Sequence, residues 1–149
     1  MLTDSGDEDY QALIREATAA RAQAYAPYSG FKVGAALRGA SGRVYRGCNV
    51  ENASYGLTCC AERNAVFAAV VEGERHIVAA AVVTGAKTPT APCGACRQVL
   101  LEFAPRGEMG VALATLDGAR HLTSLAELLP QSFSGFEPDD GVNTSVAHD

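Results

Sequence analysis

The sequence predicts a single α/β domain, layered α/β/α around a mixed five-stranded sheet. Its 149 residues suit one domain. A composition of 48% hydrophobic and 19% charged residues is ordinary for a globular protein and excludes a wholly disordered chain. Helical and strand patterns follow one another in the order α-β-β-α-β-α-β-β-α. That order implies a hairpin followed by two β-α-β crossovers, which gives a mixed sheet with helices on its faces.

The elements follow from hydrophobic periodicity and from glycine and proline breaks. Ser5 and Glu8 fit a capping box at the start of the first helix. Pro27 limits that helix because proline disfavours helical geometry at the residue before it. The second helix is apolar almost all round, which predicts burial on every side. The expected helices are 5–25, 60–71, 93–103 and 124–129, and the expected strands are 31–37, 44–50, 77–83, 109–116 and 120–122.

Acidic residues are concentrated at the two ends of the chain. The formal net charge is −5, but residues 10–133 hold all twelve basic and nine acidic residues and so carry +3. We expect one folded domain at 1–133 and an acidic, disordered C-terminal tail at 134–149, where no apolar period is present. No apolar run is long enough to span a bilayer, and the acidic N-terminus does not resemble a signal peptide. We therefore expect a cytoplasmic protein with no membrane partner.

Two short segments carry the residues of a metal site. Cys60-Ala61-Glu62 begins the second helix, and Pro92-Cys93-Gly94-Ala95-Cys96 begins the third. Two sulfurs three residues apart can converge on one ion, and Cys60 completes a tripod from a neighbouring helix start. Three protein ligands, an open position and a carboxylate that moves protons without binding the metal are the requirements of a zinc deaminase. The pattern predicts one Zn²⁺ per chain, held by Cys60, Cys93 and Cys96, with Glu62 as the catalytic proton carrier.

The charge of this site and the nature of its cysteines leave alternatives open. Three thiolates and a dication sum to −1, so Arg63 and Arg97 are candidates to offset that charge by hydrogen bonding to sulfur. A surface ion pair is an equal alternative for Arg97. Cys93 and Cys96 also fit a thioredoxin-like redox pair, which leaves Glu62 unexplained. A closed structural zinc site would need a fourth ligand, and the sequence offers no good candidate for it.

Residues 10–133 resemble the small homotetrameric cytidine deaminases that bind zinc through three cysteines. The resemblance extends along almost the whole of that range, and the tail at 134–149 lies outside it. The matching stretches are Ala24-Tyr25-Ala26-Pro27-Tyr28-Ser29, Phe31-Lys32-Val33-Gly34-Ala35-Ala36, Gly47-Cys48-Asn49-Val50-Glu51-Asn52-Ala53-Ser54-Tyr55, Cys60-Ala61-Glu62-Arg63, Pro92-Cys93-Gly94-Ala95-Cys96-Arg97-Gln98 and Leu128-Leu129-Pro130 with Phe133.

The resemblance implies further site residues and an assembly. Asn49 and Glu51 would hydrogen-bond the ribose hydroxyls, and Phe31 would pack against the base or sugar. Tyr55 would lie at the subunit contact around the site. Phe133 would reach the active site of a neighbouring subunit in a homotetramer with shared active sites. From spacing alone, Phe31 fits the core of its strand equally well, and Phe133 is better explained as an anchor on its own subunit.

The resemblance also implies a reaction. The chain would be a hydrolase that uses water to deaminate cytidine and deoxycytidine to uridine and deoxyuridine, releasing ammonia in pyrimidine salvage. Glu62 would take a proton from water, pass it to ring atom N3 and later protonate the leaving amino group. The alternative is a related zinc deaminase acting on another nucleoside or nucleoside analogue. The compact chain and the pair Asn49 and Glu51 argue against a nucleic-acid substrate.

Overall fold

The computed structural model describes residues 4–135 of the chain. Nine helices and strands lie in this range in the predicted order, and short 3₁₀ turns at Tyr55–Leu57 and Pro105–Gly107 were not predicted. The elements are α1 (Asp4–Arg21), β1 (Val33–Gly39), β2 (Val44–Cys48), α2 (Ala61–Val71), β3 (Ile77–Thr84), α3 (Gly94–Glu102), β4 (Gly110–Thr115), β5 (Arg120–Ser124) and α4 (Leu125–Leu128).

The five strands form one mixed sheet in the order β2-β1-β3-β4-β5. β1 pairs antiparallel with both β2 and β3, β3 pairs parallel with β4, and β4 pairs antiparallel with β5. The parallel pair is joined through α3, as a parallel connection requires a crossover. The predicted mixed five-stranded sheet is confirmed.

The sheet separates two apolar cores, which confirms the α/β/α layering. On one face, Leu13 and Ala17 of α1 pack against small residues of β1, β3 and β4. On the other face, α2 and α3 pack against the sheet and against each other, around fully buried residues such as Val66 and Leu100. This arrangement brings the beginnings of α2 and α3 together beside the central strands, where the two cysteine segments lie.

The limits of α1 differ from the prediction. The helix begins at Asp4, so Ser5 is a helical residue and the predicted N-cap at Ser5 is wrong. The helix ends at Arg21, short of the predicted end, because the chain beyond it makes turn hydrogen bonds and then pairs with a distant segment. Tyr25 forms a parallel bridge with Val50, an interaction that local periodicity cannot reveal.

The predicted burial of α2 on every side is also wrong for a single chain. Ala61, Ala65 and Val66 are fully buried, but Phe67 is 54% exposed and Val71 is 81% exposed. These two residues are four apart on the helix, so they share one face. That face is apolar and uncovered in the isolated chain.

The described residues contain no helix that is both long and apolar enough to cross a bilayer. The predicted tail at 134–149 lies outside the described residues except for Ser134 and Gly135, which have no regular secondary structure.

Candidate active site

The three predicted ligand cysteines lie together at the beginnings of α2 and α3. Cys60 is the N-cap of α2, Cys93 is the N-cap of α3, and Cys96 lies in the first turn of α3. Their Sγ atoms all lie within 4.8 Å of one another. The Cys60 and Cys93 Sγ atoms are 3.9 Å apart, and those of Cys93 and Cys96 are 3.5 Å apart. A helix N-terminus favours negative charge, so both helices stabilise thiolates at these positions.

The sulfur cluster fits zinc. Zn–S bonds of about 2.3 Å in tetrahedral geometry place two sulfurs about 3.8 Å apart, close to the two distances seen here. The pKa of Cys60 is lowered to about 5, and the hydrogen bond from Cys96 is the largest cause. Burial opposes this shift, whereas hydrogen bonds from Arg63 and Cys93 add to it. The pKa of Cys96 is raised, first by its hydrogen bond to Cys60 and then by burial. Cys60 therefore ionises readily, whereas Cys96 needs a cation beside it to become a thiolate.

The two arginines next to the ligand segments take different positions. Arg63 donates from Nη2 to the Cys60 Sγ at 3.6 Å, and this hydrogen bond raises the pKa of Arg63. It therefore lies where the prediction of charge compensation requires. Arg97 forms neither the hydrogen bond to sulfur nor the surface ion pair considered from the sequence. It donates instead to the backbone carbonyls of Pro92 at 2.7 Å and Leu128 at 2.6 Å. Arg97 thus ties the cysteine segment of α3 to α4.

Glu62 lies in the first turn of α2 and is only 5% exposed. Its Oε2 accepts a hydrogen bond from the Cys96 Sγ at 3.4 Å. Burial is the main cause that raises the pKa of Glu62, because it disfavours the charged form. A buried carboxyl group of this kind can serve first as a proton acceptor and then as a proton donor.

A cavity of about 310 Å³ opens from this cluster toward the loops that follow α1 and β2. Cys60, Glu62 and Cys93 line it on one side. Phe31, Asn49 and Glu51 line it as well, so the structure brings six of the predicted site residues to one cavity. Cys96 is fully buried behind it.

The two predicted sugar-binding residues are held by different partners. Asn49 Oδ1 accepts from the Val33 N–H, and Asn49 Nδ2 donates to the Phe31 carbonyl, both at 2.8 Å. Glu51 is anchored by Tyr28 and Ser29. Asn49 and Glu51 follow the end of β2 rather than lying within it, because β2 stops at Cys48. The predicted strand at 44–50 therefore ends two residues early, and both Asn49 and Glu51 line the cavity from the segment that follows it.

Tyr55 and Phe133 are not in this cavity within one chain. Tyr55 is 74% exposed and lines an adjoining cavity with Tyr28 and Glu51. Phe133 is 58% exposed, and its carbonyl accepts a hydrogen bond from the Gln98 side chain at 2.9 Å. Phe133 lines a separate cavity beside the end of α3. Roles for these two residues at a subunit contact stay predictions.

Several residues of the cavity were not singled out from sequence. Ser29, Thr58, Thr84 and Thr90 supply polar groups to its wall. Thr84 and Thr90 hydrogen-bond each other at 3.1 Å. A single serine or threonine carries no distinctive spacing, so only the neighbouring motif residues could have indicated them. Ser29 lies within the stretch that carries the family resemblance, which is the one signal available.

The fold is a three-layer α/β/α sandwich. At the starts of two of its helices it carries three clustered thiols and a buried glutamate. This combination defines a zinc-binding deaminase type of domain. Residues 7–109 match the family model "Cytidine and deoxycytidylate deaminase zinc-binding region". The chain belongs to the cytidine and deoxycytidylate deaminase family.

Individual relatives show how far the similarity extends. The chain is 52% identical to a cytidine deaminase of Sporosarcina psychrophila, covering 85% of this chain and 92% of the relative. It is also 52% identical to a cytidine deaminase of Halalkalibacterium halodurans, over 89% of this chain and 99% of the relative. The crystal structure of the Burkholderia pseudomallei cytidine deaminase aligns with a TM-score of 0.80 and 52% identity, over 83% of this chain and 98% of that chain.

Proposed function

We propose that this chain is a zinc-dependent cytidine deaminase that hydrolyses cytidine and deoxycytidine to uridine and deoxyuridine and releases ammonia. The observation that carries the proposal is one cavity in which Glu62 and the thiols of Cys60 and Cys93 face Asn49 and Glu51. The first group supplies the chemistry and the second holds a sugar. The reaction returns free cytidine nucleosides to the uridine pool, which is a step of pyrimidine salvage.

Glu62 carries the protons of this reaction. Bound zinc supplies Lewis acidity that lowers the pKa of water to near 7. Glu62 takes a proton from the attacking water and passes it to N3 of the ring, which makes C4 electrophilic. The water oxygen bonds to C4. As C4=O forms, Glu62 takes the remaining proton of that hydroxyl and delivers it to the amino group, which leaves as ammonia. Its burial beside Cys96 keeps the carboxylate within reach of the cluster without making it a ligand.

The hydrogen-bonding capacity left on Asn49 and Glu51 suits one sugar hydroxyl. Asn49 uses one N–H and one lone pair in the protein, and so retains one of each. Glu51 accepts three hydrogen bonds from the protein and retains about one acceptor position. A hydroxyl that donates to Glu51 and accepts from Asn49 satisfies both. We assign this single contact to the 3′ hydroxyl, so that loss of the 2′ hydroxyl is tolerated and deoxycytidine is a substrate alongside cytidine.

The charge of the cavity favours a nucleoside over a nucleotide. Its wall among the described residues contains the carboxylates of Glu51 and Glu62 and no lysine or arginine. A 5′-phosphate would therefore meet negative charge without a cationic partner. The same argument disfavours a polynucleotide. A related zinc deaminase acting on another nucleoside or nucleoside analogue is the second candidate, since a single hydroxyl contact does not by itself define the base.

We also propose a homotetramer with shared active sites. Phe67 and Val71 form an exposed apolar face, and a contact with a second copy of the chain would bury it. Tyr55 beside the cavity and Phe133 at the C-terminal end of the described chain would then contribute to substrate binding across a subunit contact. Phe31, which is 41% exposed, would pack against the base or sugar.

The compartment and the domain limits complete the proposal. Zinc binding requires three reduced thiols, and all five cysteines are free, so the cytoplasm suits the enzyme.

All the residues assigned here to the metal, the proton transfer and the sugar lie within 1–133, which we propose as the catalytic domain. Deleting residues 134–149 is expected to leave deamination within about twofold of the intact chain.

Loss of cytidine absorbance, with and without a zinc chelator, tests the function. We expect turnover of cytidine and deoxycytidine with kcat/KM values within about tenfold of each other, abolished by the chelator and restored by zinc. Cytosine, adenosine, deoxycytidylate and single-stranded DNA are the comparison substrates, and all should react far more slowly. Turnover that survives complete zinc removal would contradict the proposal. Reversible disulfide formation between Cys93 and Cys96 without metal would favour the redox alternative.

A further inference from the structure

Ser29 connects the loop after α1 to the sugar-binding carboxylate. Its hydroxyl donates to Glu51 Oε2 at 2.5 Å, and its Oγ accepts from the Phe31 N–H at 3.0 Å. Ser29 lines both the catalytic cavity and the adjoining cavity that contains Tyr55. Ser29 therefore lies between the cavity assigned above to the sugar and the adjoining cavity.

The two oxygens of Glu51 are held in different ways. Oε1 accepts the backbone N–H groups of Tyr28 and Ser29, each at 3.0 Å. The Ser29 side chain is the donor seen on Oε2. Backbone donors alone fix one end of the carboxylate and leave its rotation free. The Ser29 hydroxyl therefore sets the direction of the oxygen that retains an acceptor position for substrate.

The electrostatics agree with this geometry. All three donors are neutral, so Glu51 keeps its negative charge for the substrate. The Ser29 hydroxyl is the first cause, ahead of the backbone N–H groups, that lowers the pKa of Glu51. A carboxylate that is already ionised and oriented loses less freedom when the nucleoside binds.

We propose that Ser29 is a positioning residue for substrate, acting through Glu51 on one sugar hydroxyl. This inference rests on the proposed function, because it takes Glu51 as the sugar contact. A merely structural serine would anchor the loop through Phe31 and influence all substrates alike. A positioning serine influences only those substrates that carry the hydroxyl bound by Glu51.

The test compares cytidine with 2′,3′-dideoxycytidine, which lacks both hydroxyls on the sugar ring. The holoenzyme is prepared as wild type, Ser29→Ala, Ser29→Thr and Glu51→Ala, each with its zinc content and Tm measured. Thr18→Ala is the matched control, because it removes an exposed hydroxyl that bonds only within α1. For cytidine we expect Ser29→Ala to lower kcat/KM roughly 10-fold, mostly through KM, as for loss of a hydrogen bond to a charged group. For the dideoxynucleoside we expect a change within twofold, and Ser29→Thr should restore most of the cytidine rate.

A double variant separates positioning from direct contact. In the Glu51→Ala background, Ser29→Ala should change cytidine turnover by no more than about twofold, because its effect passes through the missing carboxylate. A loss that persists there would show that Ser29 contacts the sugar itself and would overturn the inference.

Other outcomes are equally decisive. Equal losses on both substrates, or no loss on cytidine, would overturn the inference while leaving the proposed function intact. A wild-type holoenzyme that deaminates neither nucleoside would overturn the proposed function and the inference with it. If Ser29→Ala fails to fold, Ser29→Gly removes the same hydroxyl without demanding a particular backbone geometry, and the same substrate selectivity is expected.

Discussion

At the scale of single residues, the site depends on carboxylates placed in opposite environments. Glu62 is buried beside sulfur, and burial raises its pKa above the ordinary value. Glu51 lies near the surface of the cavity, where hydrogen bonds led by the Ser29 hydroxyl lower its pKa. The group proposed to gain and lose a proton and the group proposed to remain an anion thus differ by their surroundings rather than by their chemistry.

Replacing Glu62 by glutamine should separate metal binding from turnover. The amide keeps the shape of the side chain but can no longer accept and return the proton, so we expect kcat to fall by at least about 100-fold. Zinc content should remain near one per chain because Glu62 is not a ligand. Metal analysis and steady-state kinetics on the same preparation measure both. Near wild-type turnover in the zinc-loaded variant would refute the assignment of Glu62.

The carboxyl group of Glu74 is expected to make the stability of the fold depend on pH. Its Oε2 accepts hydrogen bonds from the Ser41 hydroxyl at 2.5 Å and the Tyr45 hydroxyl at 3.2 Å. These hydrogen bonds lower the pKa of Glu74 below its ordinary value of 4.5, and the bond from Ser41 has the largest effect. Burial acts in the opposite direction. A carboxyl whose pKa is depressed on folding stabilises the fold above that ordinary value and loses this contribution as the pH falls through the depressed pKa.

We therefore expect Glu74→Gln to have a lower Tm than the wild type at pH 7 and to approach it as the pH falls below 4. Melting curves of both proteins at matched pH isolate the effect, because loss of zinc in acid affects them alike. A Tm difference that stays constant from pH 7 to pH 3 would mean that Glu74 contributes through its shape rather than its charge.

At the scale of elements, glycines allow the helices to approach the sheet closely enough to form the site. A Cβ on Gly47 of β2 would overlap the Ala61 carbonyl oxygen and the Ala65 amide nitrogen of α2. A Cβ on Gly34 of β1 would overlap the Ala17 carbonyl oxygen of α1. Backbone atoms cannot yield as a flexible side chain can, so these contacts set the distance between layers. The position of Cys60 and Glu62 at the start of α2 depends on the first of them.

Gly47→Ala should therefore damage both stability and the metal site. Forcing α2 away from β2 is expected to cost about 1–3 kcal/mol of unfolding free energy, as overpacking does elsewhere. Zinc affinity should fall as well, because Cys60 moves relative to Cys93. Urea unfolding and competition with a chelator are the measurements. Gly56→Ala is the control, since a Cβ there meets no atom within 4 Å. Equal behaviour of the two variants would contradict the close-approach argument.

At the scale of the whole molecule, the isolated chain leaves apolar surface uncovered. Phe67 and Val71 lie on the outer face of α2, the helix that carries Cys60 and Glu62 at its other end. Tyr55, which lines the adjoining cavity, is 74% exposed, and Leu57 in the same short turn is 71% exposed. Exposed apolar surface of this kind favours the subunit contact proposed above. Assembly and activity are therefore expected to change together.

Phe67→Glu should weaken the assembly, because a charge placed in an apolar interface is costly to bury. By sedimentation we expect the wild type near four times the 15.5 kDa chain mass and the variant at smaller masses, with reduced turnover of cytidine. Ala19→Glu adds the same charge to the exposed side of α1, across the sheet, and should change neither quantity. A wild type that is monomeric and fully active would rule out the shared-site tetramer.

The sequence by itself determined the order of the elements, the mixed sheet and the three-cysteine cluster. These features depend on local patterns: the period of apolar residues identifies helices and strands, and a three-residue spacing in a helical turn brings two sulfurs together. The position of Glu62 beside the cluster follows from the same kind of spacing, because it lies two residues from Cys60.

Only the tertiary structure decided what meets across the fold. Ser29 reaches Glu51 from 22 residues away, and Arg97 reaches Leu128 from 31 residues away. The end of α1 depends on pairing between Tyr25 and Val50. The exposed face of α2 looked like core because its composition is apolar, but burial depends on what covers a surface. The periodicity of a sequence shows which side chains are apolar, whereas only the tertiary structure shows which of them are buried.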